Sequence, residues 1–313
     1  MAIIISGSIA YDYIMDFPDV FKNHILPDQL HILNVSFLVD RMQKGLGGTA
    51  GNIAYTIKLL GGEPIMFSTI GKDGMEYFDH WKKMSMLVDH IIQDDKRLTS
   101  AAYIVTDKDD NQITAFYPGP ADRSSELRLA DVKEKPSCVM ISPTDKNVMQ
   151  KHLRESHDNG FVTIFDPGQQ IFAFSGEELQ QCVEQSNFII GNDYEIKILS
   201  ERTGWDTKQL LGEKRTLVVT LGEQGSVIHS SKETIKISAA KPRSVDDPTG
   251  AGDAFRAGFF MAYEKGFNLK TCGQFASVAG SFAVESYGTQ QHRFTLDEFR
   301  GRYQSAYHTD CLF

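Results

Sequence analysis

With 313 residues, 41% of them hydrophobic and 23% charged, the chain has the make-up of a folded enzyme, either one large α/β domain or two smaller ones. A formal net charge of −9 offers no basic face for nucleic acid, and no run reaches the ~18 apolar residues of a membrane span. Four scattered cysteines (Cys138, Cys182, Cys272 and Cys311) lack CxxC or Cys/His spacing, which excludes a disulfide framework or zinc site as the organising feature and fits a reducing cytosol.

Taken in chain order, residues 1–8 read as a buried first strand, Ile3-Ile4-Ile5, running into a Gly7-Ser8 turn. They carry no basic leader or cleavage pattern, so a signal peptide is not expected. Asp12 follows that turn. A carboxylate there can accept two hydrogen bonds from a vicinal diol, or it is a plain turn aspartate. Residues 11–40 show no convincing helix. Gly45-Leu46-Gly47-Gly48-Thr49-Ala50-Gly51-Asn52 reads as a Gly-rich loop opening a helix. Its glycine spacing brushes the dinucleotide fingerprint, but residues 39–44 do not read as a buried strand, so NAD binding is discounted. Asn52 beside bare glycines suits a pocket for sugar hydroxyls, with helix initiation as the alternative.

Residues 52–60 have helical spacing and end at Gly61-Gly62, and 64–70 read as a strand. Gly71-Lys72 is followed by Asp73 with no glycine five before the lysine, so there is no Walker A loop. No protein-kinase signature set is present either. Residues 99–118 form a hairpin pattern about the polar turn Asp107-Lys108-Asp109-Asp110-Asn111. With residues 11–41 it is expected to build a small extra sheet, a lid over a site or an oligomer face, the lid being preferred.

Four short β-rich runs follow, at 137–141, 161–165, 188–191 and 216–221, interleaved with helical segments at 145–158, 175–185 and 194–202. This alternation predicts a mostly parallel sheet with helices on both faces and a site beyond the carboxyl ends of the strands. Asn192 and Glu195 fit a capping box or, equally, an amide and a carboxylate for phosphate and the water shell of magnesium. Thr220-Leu221-Gly222-Glu223-Gln224-Gly225 is a nucleotide contact or a hairpin turn. His24, His31, His80 and His292 have no HExxH spacing and read as surface or core residues.

Asp246-Asp247-Pro248-Thr249-Gly250-Ala251-Gly252-Asp253 leads into an apolar-periodic segment. Small residues at 250–252 let backbone N–H groups approach an anion, and the following helix adds its positive end. Asp253 at the mouth of that nest would repel a resting phosphate. It makes chemical sense as a base taking a proton from an attacking hydroxyl, which points to phosphoryl transfer to an alcohol.

Together, Gly47-Gly48 with Asn52, Asn192 with Glu195, Thr220-x-Gly222 and Thr249-Gly250-Ala251-Gly252-Asp253 resemble the PfkB family of carbohydrate and nucleoside kinases, over nearly the whole chain. The resemblance implies a single ribokinase-like domain over 1–313: a three-layer α/β/α core with a small β lid, taking ATP and magnesium. By position, Asp253 would be the catalytic base and Gly250, Ala251 and Gly252 the anion hole. Asp12, Gly48 and Asn52 would hold acceptor hydroxyls, and Thr220 and Gly222 the nucleotide. Glu195, with Asn192, would serve phosphate and magnesium, the ion met through water. Residues 275–288 would flank the adenine. Asp247 matches a position tied to a monovalent cation (K+) in some members, although Pro248 stands where threonine is usual.

Residues 7–15, 24–29 and 115–119 are similar to bacterial adenosine and nucleoside kinases. Phe116 and Tyr117 on the hairpin, with Phe37 nearby, would offer faces for a purine, worth ~1–3 kcal/mol per stacked base. The expectation is therefore a cytoplasmic ATP-dependent kinase acting on the 5′-hydroxyl of a nucleoside, adenosine first. A ribokinase or fructokinase, or a catalytically silent nucleoside sensor, is the alternative. The protein would be a monomer or a homodimer through the lid.

Overall fold

The computed structural model describes residues 2–26, 34–109 and 111–311. Pro27, Asp28 and Gln29 of the nucleoside-kinase-like stretch, His31, and Asp110 of the hairpin turn lie outside the described residues.

The main sheet is built from β1 (Ala2–Ser6), β4 (Pro64–Gly71), β5 (Ile91–Asp94), β8 (Pro136–Ile141), β9 (Thr163–Phe165), β10 (Phe188–Asn192), β11 (Thr216–Thr220), β12 (Ser226–His229) and β13 (Thr234–Ile237). Its order is β13-β12-β11-β10-β9-β8-β1-β4-β5. Pairing is parallel from β11 to β5 and antiparallel at the β11–β12 and β12–β13 edge. Helices cover both faces, and this explains why the central strands read as unbroken apolar runs. Along β1, Ile3 and Ile5 pack on one side with α1 (Thr49–Leu59), α2 (Met75–Lys83), α7 (Ala251–Glu264), α8 (Leu269–Ala283) and α9 (Leu296–Tyr307). Ala2 and Ile4 face the other side, with α3 (Lys146–Asp158), α4 (Gly176–Glu184), α5 (Asp193–Thr203) and α6 (Thr207–Leu211). The three-layer α/β/α expectation holds.

The remaining strands, β2 (Ala10–Asp16), β3 (Arg41–Gly47), β6 (Ser100–Thr106) and β7 (Gln112–Tyr117), form a separate four-stranded sheet in the order β3-β2-β6-β7. The 99–118 hairpin is therefore present. One expectation is corrected: Gly45 and Gly47 lie within strand β3, not in a loop. Strand β3 pairs antiparallel with β2 from Asp16↔Arg41 to Ala10↔Gly47. Its first residues are exposed at the sheet's edge, so it lacks the apolar run that marks a buried strand.

Among the described residues, no helix is long and apolar enough to cross a membrane. Among the described residues no disulfide is formed, and Cys138, Cys182 and Cys272 are buried.

Candidate active site

The register of the small sheet decides which side chains share its faces. Asp12 lies opposite Ala102, and Ala102 opposite Phe116. Partners across a ladder point the same way, so Asp12 and Phe116 share one face, two strands or about 10 Å apart. Tyr117 is one residue further along and belongs to the opposite face, with Tyr103 and Ile113. The expected pair of stacking rings thus reduces to Phe116, which is 49% exposed. Phe37 is likewise unavailable: its ring packs edge-on against Phe17, centroids 4.9 Å apart, and against Phe21 at 5.0 Å.

The Asp12 face looks across a cavity of about 820 Å³ at the loop before α7. Ile14, Ile104 and Gln112 line it from the sheet, and Asp247, Pro248, Thr249 and Tyr287 from the core. Several contacts bridge the two parts. Tyr287 Oη donates to Asp16 Oδ1 (3.2 Å), the Arg41 guanidinium lies 4.8 Å above the Tyr287 ring, and Thr289 Oγ1 donates to the Leu46 carbonyl. A second cavity, about 560 Å³, involves Phe161, Asn187 and Arg215 at the amino ends of β9–β11. It lies at the wrong end of the strands to join these residues.

Asp12 is buried, and burial pushes its carboxyl up to about 7. The Thr289 hydroxyl, shared between the Leu46 carbonyl and Asp12 Oδ2 at 3.3 Å, opposes the rise, while the charges of Asp253 and Asp247 add to it. Gly47 is glycine for a local reason: a Cβ there would lie 2.0 Å from Asp12 Oδ2. Gly48 has φ +83 and its missing Cβ would collide with the Ala10 nitrogen and the Ser8 carbonyl at 2.6 Å. It turns the chain from β3 into α1, which delivers Asn52.

Asn52 is buried and donates from Nδ2 to Asp253 Oδ2 at 2.8 Å. Asp253, in the first turn of α7, is half-buried. Burial pushes its carboxyl up to about 6; the Arg256 cation and the Asn52 hydrogen bond pull it down, and Asp166 and Glu195 push it up. Gly250, with φ +81, begins α7 in the left-handed conformation. Among the described residues, the N–H groups of Gly250, Gly252 and Asp253 have no protein acceptor, whereas that of Ala251 donates to the Pro248 carbonyl at 3.1 Å. The expected Gly250-Ala251-Gly252 nest is therefore shifted, with Asp253 N–H replacing that of Ala251.

Beneath this helix start lies a group that the sequence reading did not single out. Arg256 donates from Nε and Nη2 to the two oxygens of Asp166, just past β9, and from Nη1 to the Gly252 carbonyl. Burial works against the guanidinium charge, yet Asp166, Asp253 and Glu195 hold it firmly protonated. Glu195 Oε2 approaches Arg256 at 3.9 Å. Asn192 and Glu195 realise the capping box, in both directions. Burial raises the Glu195 carboxyl, with Asp166 adding and Arg256 opposing. Asn192 is register partner to Thr220, so the two sit side by side at the carboxyl ends of β10 and β11. Gly222 has φ +57 and starts the turn joining antiparallel β11 and β12, the hairpin alternative.

Asp247 accepts the N–H groups of Thr249 (2.9 Å) and Gly288 (2.8 Å), clamping two loops together. Residues 275–288 are mostly helix α8, in which Phe275, Val278 and Ala279 face the core. His292 is a core residue against Tyr55, and its burial lowers it to about 4.

Residues 19–294 match the pfkB family carbohydrate kinase. A nucleoside kinase of Methanocaldococcus jannaschii is 34% identical over 294 residues, covering 93% of each chain. The nucleoside kinase of Burkholderia thailandensis in complex with inosine superposes with a TM-score of 0.92 at 36% identity, over 98% of this chain and 99% of that one. Its complex with ADP and inosine superposes at 0.89 and 37% identity, covering 98% and 97%. Asp253 at an open helix start, faced across a cleft by a small accessory sheet, thus belongs to a chain that is a member of the pfkB family of carbohydrate kinases.

Proposed function

We propose that the protein is an ATP-dependent nucleoside kinase that moves the γ-phosphoryl group to the 5′-hydroxyl of a purine nucleoside. The observation that carries this is the juxtaposition of Asp253 with the free N–H groups of Gly250, Gly252 and Asp253. Relatives named as nucleoside kinases, one of them solved with inosine and with ADP, support the substrate class. Adenosine and inosine both fall within the proposal.

Asp12 and Gly48 flank the acceptor ribose, and Asn52 sits between that site and the base. The cavity beneath the small sheet has room for the nucleobase, and Phe116 lies on the same face of that sheet. The sheet acts as a lid whose contacts with Tyr287 and Thr289 shield the reacting groups from water. Asp253 takes the hydroxyl proton, and the free N–H groups meet the charge on the transferring phosphoryl. Thr220 and Gly222 border the nucleotide. Among the described residues, no trio of His, Cys, Asp or Glu side chains is arranged to hold a metal alone. Magnesium would instead arrive on the ATP phosphates and be met through water by Glu195 beside Asn192, where it neutralises phosphoryl charge. Asp247 serves as a loop clamp, and no step of the proposal uses a monovalent cation there.

The test is an ADP-release assay with magnesium and adenosine, inosine, guanosine, cytidine, ribose or fructose, with the product's phosphate located by NMR. Nucleoside 5′-phosphate is the expected product. Preferential use of free ribose or fructose would overturn the substrate class, and nucleoside binding without ADP formation would leave only a sensor.

A further inference from the structure

Gln290 belongs to none of the motifs that mark the site, yet it is built into it. It is buried and has φ +57, one of three described non-glycine residues in the left-handed region. Such a backbone persists only where surrounding contacts hold it. Its Nε2 donates to both Asn52 Oδ1 and Tyr77 Oη, each at 3.0 Å. Its Oε1 is buried without a partner. Helix α1 makes room for the amide at Gly51, where a Cβ would stand 2.9 Å from Gln290 Nε2.

The direction of every bond in this chain follows from chemistry. An ionised carboxylate only accepts, so Asn52 must turn its NH₂ toward Asp253 and its oxygen toward Gln290. Gln290 must then present its own NH₂, and Tyr77 Oη accepts from it. The Tyr77 proton goes to the Gly47 carbonyl, with the Ala10 carbonyl 3.2 Å away. Ala10 and Gly47 are register partners at the base of the small sheet.

We propose that Gln290 is a positioning residue for the base: it locks the Asn52 amide with its donor toward Asp253 and, through Tyr77, ties that orientation to the root of the lid. This rests on the reading of Asp253 as the general base. Without the Gln290 donor, the Asn52 amide is free to turn its oxygen against the carboxylate, which removes a hydrogen bond to the charged form and raises the proton affinity of Asp253. The charged and titratable groups facing Asp253 stay in place: Arg256 on α7 itself and, from other elements, Asp166 after β9, Glu195 on α5 and Asp12 on β2.

The experiment compares Gln290→Met, which keeps length and loses the donor, with Tyr77→Phe and Asp253→Asn. Turnover with ATP and inosine, or adenosine, is measured across pH. Gln290→Met should move the acid limb of the profile up by about one pH unit, which lowers kcat about twofold near pH 7 and about tenfold well below pH 6, with KM for ATP little changed. Tyr77→Phe should shift the limb the same way by less. In the Asp253→Asn background, Gln290→Met should cause no further fall. A lowered kcat with an unmoved acid limb would reduce Gln290 to a structural part, and an unchanged kcat would also overturn the proposal. Should Gln290→Met fail to fold, an unmoved limb in Tyr77→Phe overturns it. Near-normal turnover in Asp253→Asn would instead remove the base itself, a distinguishable failure.

Discussion

Asn52 and Asp253 are 201 positions apart in the chain and 2.8 Å apart at the start of α7. The contact sets the state in which the carboxylate waits: buried enough to be pushed up to about 6, held down by one amide and by Arg256. A base must be ionised, so activity should rise with pH through an acid limb centred near 6 and level off above it. Asp253→Asn keeps the shape and removes the proton acceptor. Turnover should fall by about 10²- to 10⁴-fold while nucleotide affinity, read by calorimetry, stays close to that of the unaltered protein.

Asp12 predicts a trade between stability and function. Its carboxyl is pushed up to about 7 from an ordinary value of 3.8. The folded chain therefore keeps a proton that the unfolded chain releases between those values, so stability falls as pH rises through that window. Asp12→Asn removes the cost of the buried charge. Without ligand, its thermal midpoint at pH about 8 should rise by a few degrees, and the loss of stability between pH about 5 and 8 should shrink. Nucleoside KM should rise at the same time. A variant no more stable than the parent at either pH would show that Asp12 carries no such penalty.

Phe116 and Tyr117 are adjacent in sequence and face opposite ways. Phe116→Ala should raise nucleoside KM by roughly ten- to a hundredfold, from a stacking loss of ~1–3 kcal/mol, with slow turnover of ribose unaffected. Tyr117→Ala should leave nucleoside KM within about twofold. Equal losses in both variants would place the purine elsewhere.

Much of this architecture could be read from the sequence because apolar runs, turns and glycine clusters are local signals. The strands of the parallel core and the 99–118 hairpin followed from them. Strand β3 did not, since an edge strand is recognised by the partner that supplies its hydrogen bonds. Sequence adjacency sets Phe116 and Tyr117 together because it hides the alternation that register imposes. Local sequence does not show that the Ala251 N–H is occupied, because the reach of the Pro248 carbonyl depends on the path of the loop. Arg256, Asp166 and Gln290 were missed because each acts through a residue distant in sequence. Only Arg256 left a signal, as the one charge in the apolar-periodic segment that begins α7.

That arginine yields the sharpest test of how the site is paid for in stability. Its pair with Asp166 is almost fully enclosed, with side chains 8% and 2% exposed. Arg256→Leu leaves the Asp166 carboxylate buried and unpaired, a change that typically costs 3–5 kcal/mol. It should unfold at markedly lower denaturant than the parent. Arg256→Leu with Asp166→Leu replaces both charges with apolar volume and should recover most of that stability. Activity should not return with it, because the cation that holds down the proton affinity of Asp253 is gone. Even the folded double variant should show an acid limb displaced to higher pH. If that limb stays near 6, Arg256 stabilises the fold without tuning the base.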